Sequence, residues 1–472
     1  MATKNYKGFN VYKNSIHRSG SIEVFMAADN GGNFIISDKA AGFSGIAVDG
    51  GKVRSELNHE NAQVLRRFFP WAAPSPVLRK ERSFGLGDRL GIATTGHIDV
   101  FKHYDAYPVF AQQSIRELAL TGRSYEEVLD AATFAVFREN FQKEWGADGD
   151  HLKTVKDIEY ALSLGFTMIT LDCSEHIKSG ITPRNASQAA AAYREKYLGK
   201  KFDLGEGLVL EISTAELNQA VAIYSQAINF IIDIYNKFFV NAGNKADFEI
   251  SIDETSEPTT PIQHFFVAKE LVDAGVSFAT IAPRFCGEFQ KGIDYKGNLN
   301  QFSQELHAHA IIARHFKYKL SIHSGSDKFS VFTSIADETR GIFHVKTAGT
   351  NWLEAMCVVS ELDADLYRNV HKYALEVFNE AAAYYHVTTD LSRIPDADTL
   401  DDEDMPSLFT NNDVRQLIHI TYGLILCAKN ADGSFRFRDK LYKLWIDNEG
   451  AYKNALIKHI SKHLNLLKVN KN

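Results

Sequence analysis

Asp150 and His151 stand side by side in the segment GADGDHLKT. A carboxylate next to an imidazole can divide catalytic labour: the imidazole holds a metal ion that polarises a substrate oxygen, and the carboxylate moves a proton. The alternative is that Asp150 caps the helix that follows. A second pair, Asp253 and Glu254, closes the β-rich run in EISIDETSEPTTP. Successive strand residues face opposite ways, so one of the two enters the site and the other points into its surroundings, unless both cap the next helix.

The segment KLSIHSGSDKFSVF carries His323 at the end of a short apolar run, followed by Ser324, Ser326, Asp327 and Lys328. An imidazole there suits a divalent metal, and the hydroxyls and Lys328 suit sugar or phosphate oxygens. The alternative is a satisfied core histidine. APRFCGEFQKGIDY adds Arg284, Glu288, Gln290, Lys291 and Asp294 in a loop with two glycines. Arg offers a fork for a carboxylate and Lys a point charge, which fits an anionic, hydroxylated ligand. SFGLGDRLGIATTGH places Asp88, Arg89 and His97 within reach of the same edge, as do Gln112 and Gln113 further on. Its glycines match neither a dinucleotide fingerprint nor a P-loop. His307, His309 and His315 lie on one helical pattern and read as structural.

The elements needed to gather these residues are legible in the alternation of β-rich runs with helical patterns from about Ser83 onward. Eight strand candidates follow: near 85–92, 109–112, a weak one before Asp150, 167–172, 248–253, 278–283, 320–323 and 342–346. TVKDIEYALSLG and TPIQHFFVAKELVDAG are amphipathic and close on Gly, where a helix cap is expected. The expected fold is α/β, a (β/α)8 TIM-type barrel. Its parallel strands share one carboxyl-terminal face, and the polar strand ends collect there.

Residues 83–362 form this barrel. Residues 1–82, with IEVFMAA and NFIISD around the turn DNGG, form an N-terminal cap. Residues 176–246 form a helical insertion after the fourth strand, expected to cover part of the site. Residues 363–472 form a helical C-terminal extension, interrupted by the acidic connection DADTLDDEDMP, read as solvated.

Composition narrows the function classes. The chain has 472 residues, 45% hydrophobic and 24% charged, which supports complete folding. Its net charge of −7, with scattered basic residues, argues against nucleic acid. Four dispersed cysteines form no CxxC pair, so neither a zinc knuckle nor a disulfide framework is indicated, and a reducing cytoplasm fits. No stretch reaches the roughly 18 apolar residues of a membrane span, and the start lacks an export signal. A homo-oligomer is compatible with the apolar helices of the insertion.

Taken together, GLGDRLGIATTGH, GDHLKT, SIDET, GEFQKGIDY and LSIHSGSDKF resemble the tagaturonate epimerase family of bacterial hexuronate catabolism, over nearly the whole chain. The resemblance implies interconversion of D-tagaturonate and D-fructuronate, a keto-hexuronate substrate and a divalent metal cation. It makes Asp150 the proton acceptor and Glu254 the proton donor. His151, His323 and Gln290 become the metal ligands, although Gln is a rarer ligand than the nearby Glu288. Arg284, Lys291, Lys328, Asp88 and Arg89 are left for substrate binding. Zinc, manganese, nickel and iron fit such ligands alike. The expected chemistry is retro-aldol cleavage and aldol closure through a metal-bound enediolate. A metal-dependent aldolase on the same barrel and a non-catalytic sugar-acid-binding protein are the rival readings.

Overall fold

A computed structural model describes residues 3–6, 9–178, 183–240 and 245–471. Parts of the expected N-terminal cap (residues 1–2 and 7–8) and of the insertion (179–182 and 241–244), and Asn472, lie outside the described residues.

Eight parallel strands close into a barrel: β1 (Arg82–Leu86), β2 (Tyr107–Gln112), β3 (Gly146–Leu152), β4 (Met168–Asp172), β5 (Asp247–Ile252), β6 (Thr280–Pro283), β7 (Lys319–Ile322) and β8 (Phe343–Thr347). They pair in chain order, and β8 closes onto β1 from Phe343 opposite Arg82 to Thr347 opposite Leu86. The expected (β/α)8 class is therefore the observed one. The third strand, faint in the sequence, is seven residues long and contains Asp150 and His151 rather than preceding them. Its two glycines and two aspartates lower β propensity, and its neighbours in the barrel impose the strand.

The amino end of the barrel is plugged by the segment just before β1. Ser75 N–H donates to the Trp145 carbonyl at 2.7 Å, Leu78 N–H to Asp247 at 2.7 Å, and Lys319 Nζ to the Lys80 carbonyl at 2.5 Å. Val77 and Leu78 pack there with Val109, Met168 and Ala279. With that end sealed, ligand access is left to the carboxyl-terminal face.

An antiparallel sheet of seven strands within residues 3–56 precedes the barrel. Its central hairpin pairs Asp29 with Gly32 around Asn30-Gly31, the two-residue turn that DNGG signals. One face, with Val24, Met26 and Ile35, joins the main core, while the other buries Phe25, Phe34 and Ile36 in a small core of its own.

The insertion contains more than helices. After a short helix α1 (Pro183–Ala189), Lys201–Asp203 and Val209–Glu211 form a two-stranded antiparallel sheet before the long helix α2 (Thr214–Tyr235), which packs beside the barrel helix Pro261–Asp273. Behind the barrel, α3 (Thr350–Leu362), α4 (Asn412–Ile420) and α5 (Glu449–Leu466) build a second core around Trp352, Tyr367, Leu417 and Trp445. The acidic connection is docked rather than free: Asp401 to Asp404 are exposed, but Met405, Leu408 and Phe409 are buried. Among the described residues, no helix is long and apolar enough to cross a membrane.

Candidate active site

The barrel interior is charged where side chains of β3, β5 and β8 meet. Period-2 alternation puts Asp148 and Asp150 on one face of β3, and Glu249, Ser251 and Asp253 on one face of β5 and its end. Lys346 of β8 reaches across. Its Nζ donates to Asp148 at 2.6 Å, Asp150 at 2.5 Å, Thr170 Oγ1 at 2.7 Å and Glu249 at 3.3 Å.

A bulge makes the neighbouring pair possible. Pairing of β3 with β4 shifts register between Gly149 and Leu152, and His151 has a φ of 55°. A regular strand would send Asp150 and His151 to opposite faces; the left-handed residue at the bulge lets both line one cavity. Positive φ is rare for residues other than glycine and is a form of strain that gathers at functional sites.

Electrostatics sorts the groups. Burial opposes charge at Asp150, yet Lys346 and His151 hold its carboxyl well below the usual range. Burial likewise opposes charge at Glu249 and Asp253, and Lys346 with His323 lowers the first, His323 with His151 the second. Asp148 is pushed up to about 6 by burial and by Asp150 and Glu249, against the pull of Lys346. His323 is raised to about 10: burial works against it, and Asp253 and Glu249 prevail.

His323 sets Nε2 2.9 Å from Glu249 and Nδ1 3.2 Å from Asp253, and His151 sets Nδ1 2.7 Å from Asp150. Ligand atoms of His151, Asp253 and His323 all lie within 4.8 Å of one another, and the two rings are 5.0 Å apart. His323 thus has a carboxylate on each nitrogen and His151 has one on Nδ1, and carboxylates beside a ring in this way orient metal-binding histidines. With both rings neutral, four carboxylates (Asp148, Asp150, Glu249 and Asp253) would face the single ammonium of Lys346. That excess of negative charge fits a divalent cation.

The cavity measures about 670 Å³. Asp150, His151, Asp253, Glu254, Arg284, Gln290, Lys291, His323 and Lys346 all border it. Glu254 is exposed at the rim. Lys291 is half-buried, donates to Ser324 Oγ at 3.3 Å and has its pKa lowered by burial. The Arg284 guanidinium hydrogen-bonds the Thr255 carbonyl.

Gln290 borders the cavity with its amide fully engaged. Its Oε1 accepts from Thr388 N–H at 3.1 Å, Thr388 Oγ1 at 3.0 Å and Gln416 Nε2 at 2.9 Å, and its Nε2 donates to Glu288 at 2.5 Å. The oxygen expected as a ligand thus accepts hydrogen bonds from the C-terminal extension.

Three expected substrate groups do not reach the cavity. Asp88 accepts from the backbone N–H of Leu90, Gly91 and Ala93 at 2.8–3.0 Å, fixing the loop after β1. Arg89 is buried, donates to Glu117 at 2.8 Å and lies 3.7 Å from the Tyr422 ring centroid. Lys328 donates to the carbonyls of Gln290, Ile293 and Ser326 at 2.7–2.8 Å, which uses all three of its N–H bonds.

Among the described residues of 176–246, none borders the cavity. Its wall comes instead from Tyr384, Tyr385 and His386 of the C-terminal extension. The sequence reading also passed over Lys346, Asp148 and Glu249, although inward alternation on β3, β5 and β8 could have found them.

A closed parallel barrel with ionisable groups gathered in a cavity at its carboxyl-terminal face defines a (β/α)8-barrel enzyme. The chain belongs to the tagaturonate epimerase family, whose sequence model matches residues 12–467. A tagaturonate/fructuronate epimerase from Thermotoga maritima is 41% identical over 478 residues, covering 98% of this chain and 97% of the relative. Two crystal structures of the fructuronate-tagaturonate epimerase from Cohnella laeviribosi, one native and one complexed with glycerol, align with it. Each has a TM-score of 0.95 and 48% identity, and covers 98% of this chain and 97% of its own.

Proposed function

We propose that the protein interconverts D-tagaturonate and D-fructuronate with the help of a divalent metal ion. The observation that most supports this is the placing of Asp150 between Lys346 and His151, beside the His151–Asp253–His323 trio. His151, His323 and Asp253 would hold the ion, which when bound supplies Lewis-acid polarisation of the substrate ketone. Zinc, manganese, nickel and iron suit this donor set.

The two sugar acids differ at a carbon β to the ketone, whose hydrogen no adjacent carbonyl acidifies, so enolisation cannot invert it. In the proposed step the Asp150 carboxylate accepts the proton of the hydroxyl on that carbon. The bond between the α and β carbons breaks, the hydroxyl oxygen becomes an aldehyde carbonyl, and the electron pair passes into the ketone fragment as an enediolate. The aldehyde turns, the electron pair attacks its other face, and Glu254 protonates the new alkoxide. Lys346 keeps Asp150 ionised between turnovers. Lys291 pairs with the substrate carboxylate at the rim. The fragments must stay enclosed until closure, a task for the wall of Tyr384, Tyr385 and His386.

The same reading assigns the cap, barrel and C-terminal extension to residues 1–82, 83–362 and 363–472. It also assigns the protein to the cytoplasm, which suits the free thiols of all four cysteines. The test is to incubate chelator-stripped and metal-reconstituted enzyme with D-tagaturonate and follow products by NMR. Appearance of the epimer alone, and only after reconstitution, is expected; two released fragments would indicate an aldolase instead.

A further inference from the structure

We propose that Asp327, His459 and His463 form a second divalent-cation site, of the zinc type, which fastens the C-terminal helix α5 to the loop after β7. None of the three borders the active-site cavity, so the proposal does not depend on the function assigned there.

His459 and His463 are four apart on α5 and so share one face. Asp327 belongs to the loop Ser324–Lys328, where Ser324 and Asp327 have φ of 50° and 61°. A ligand atom from each of the three lies within 4.8 Å of the others. All three side chains are enclosed: Asp327 is 4% exposed, His459 10% and His463 buried completely.

Two atoms in this enclosure meet without forming a hydrogen bond. Asp327 Oδ1 and His459 Nε2 lie 3.2 Å apart, yet both are buried without a hydrogen-bond partner. Two ligands each about 2.0 Å from a tetrahedral zinc stand about 3.3 Å from one another, so the gap between them matches an ion that both contact.

The rings are also oriented for coordination. His459 Nδ1 faces Glu354 Oε1 at 3.1 Å, and His463 Nδ1 donates to the His459 carbonyl at 2.9 Å. With Nδ1 so engaged, each ring turns an Nε2 lone pair toward Asp327, as the outer partners of metal-binding histidines arrange. His463 Nε2 accepts from the Asp327 N–H at 3.1 Å, and an ion would take over that lone pair. The other Asp327 oxygen accepts from Arg415 at 2.9 Å. Asp327 and Glu354 supply acidic groups beside the rings, and Arg415, Lys328 and Lys462 supply positive charge. Two imidazoles and one carboxylate suit zinc or cobalt better than calcium or magnesium, with water in the fourth position.

The test is metal stoichiometry of the full chain, loaded with Zn²⁺, desalted and measured by mass spectrometry of the metal. Wild type is expected to hold one equivalent more than the His459→Gln/His463→Gln variant, and that equivalent should survive in His323→Ala. Zn²⁺ should raise the melting temperature of His323→Ala but not of the triple variant His323→Ala/His459→Gln/His463→Gln. If the active site binds no zinc, wild type and His323→Ala should both hold one equivalent. Should the double variant fail to fold, titration of chelator-stripped His323→Ala with Co²⁺ decides: a visible tetrahedral absorption band is expected. Absence of that band, or a double variant with wild-type zinc content, would overturn the proposal.

Discussion

Asp253 and Gln290 are the two candidates for the third ligand of the proposed metal ion. Both border the cavity, but the Gln290 oxygen already accepts three hydrogen bonds from Thr388 and Gln416, whereas Asp253 faces His323. Asp253→Asn is expected to lower bound active-site metal at least tenfold. Gln290→Ala should leave it within twofold, as measured on chelator-stripped and reloaded protein. Asp150→Asn and Glu254→Gln should each lower kcat by about 10²–10⁴, the range for a positioned acid or base; near-wild-type turnover in both would remove them from the mechanism. Lys291→Ala should act mainly on KM, since a charged hydrogen bond to a carboxylate contributes about 1.5–3 kcal/mol.

The ends of strands β5 and β7 were readable in the sequence because SIDET and SIHSGSDK place charged residues directly after apolar runs. Lys346 was not, because its segment IFHVK looks like an ordinary strand until barrel closure lets its side chain reach across to β3. The hydrogen bonds of Gln290 were not readable either: its partners Thr388 and Gln416 are 98 and 126 residues away, in a segment with no barrel pattern.

At the scale of elements, the loops after β1 and β7 owe their shape to Asp88 and Lys328, residues that look like substrate contacts when read in isolation. Asp88 accepts three backbone N–H groups, and Lys328 donates to three carbonyls. Removing either leaves buried backbone groups unpartnered, so Asp88→Ala and Lys328→Met should each destabilise the fold by about 2–3 kcal/mol. Urea unfolding reads this directly, and a loss below about 0.5 kcal/mol in either variant would contradict its role in fixing the loop. The strand alternation that predicts a barrel is local and visible. The bulge at His151 depends on pairing with β4, and no local pattern announces it.

For the whole molecule, the C-terminal helices do more than extend the barrel. They share the second core with α3 and supply Tyr384, Tyr385 and His386 to the cavity. Ending the chain at Leu362 would expose Trp352, Leu353, Met356 and Val359, all 0–1% exposed in the full chain. Such a truncation is expected to be insoluble; a soluble truncation with native circular dichroism would show that the barrel folds independently. The architecture was legible because eight β-runs and their amphipathic helices repeat along the chain. The role of the tail was not, since helical periodicity reveals that a face is buried but not against which partner.

All scales meet in the claim that inversion proceeds by breaking and re-forming a carbon–carbon bond. The direct test is to run metal-reconstituted enzyme on D-tagaturonate in D₂O and examine the D-fructuronate formed by NMR. Cleavage and closure leave the hydrogen on the inverted carbon untouched, so the product should carry protium there. Deuterium at that carbon would mean that its proton is removed directly, and would contradict the mechanism.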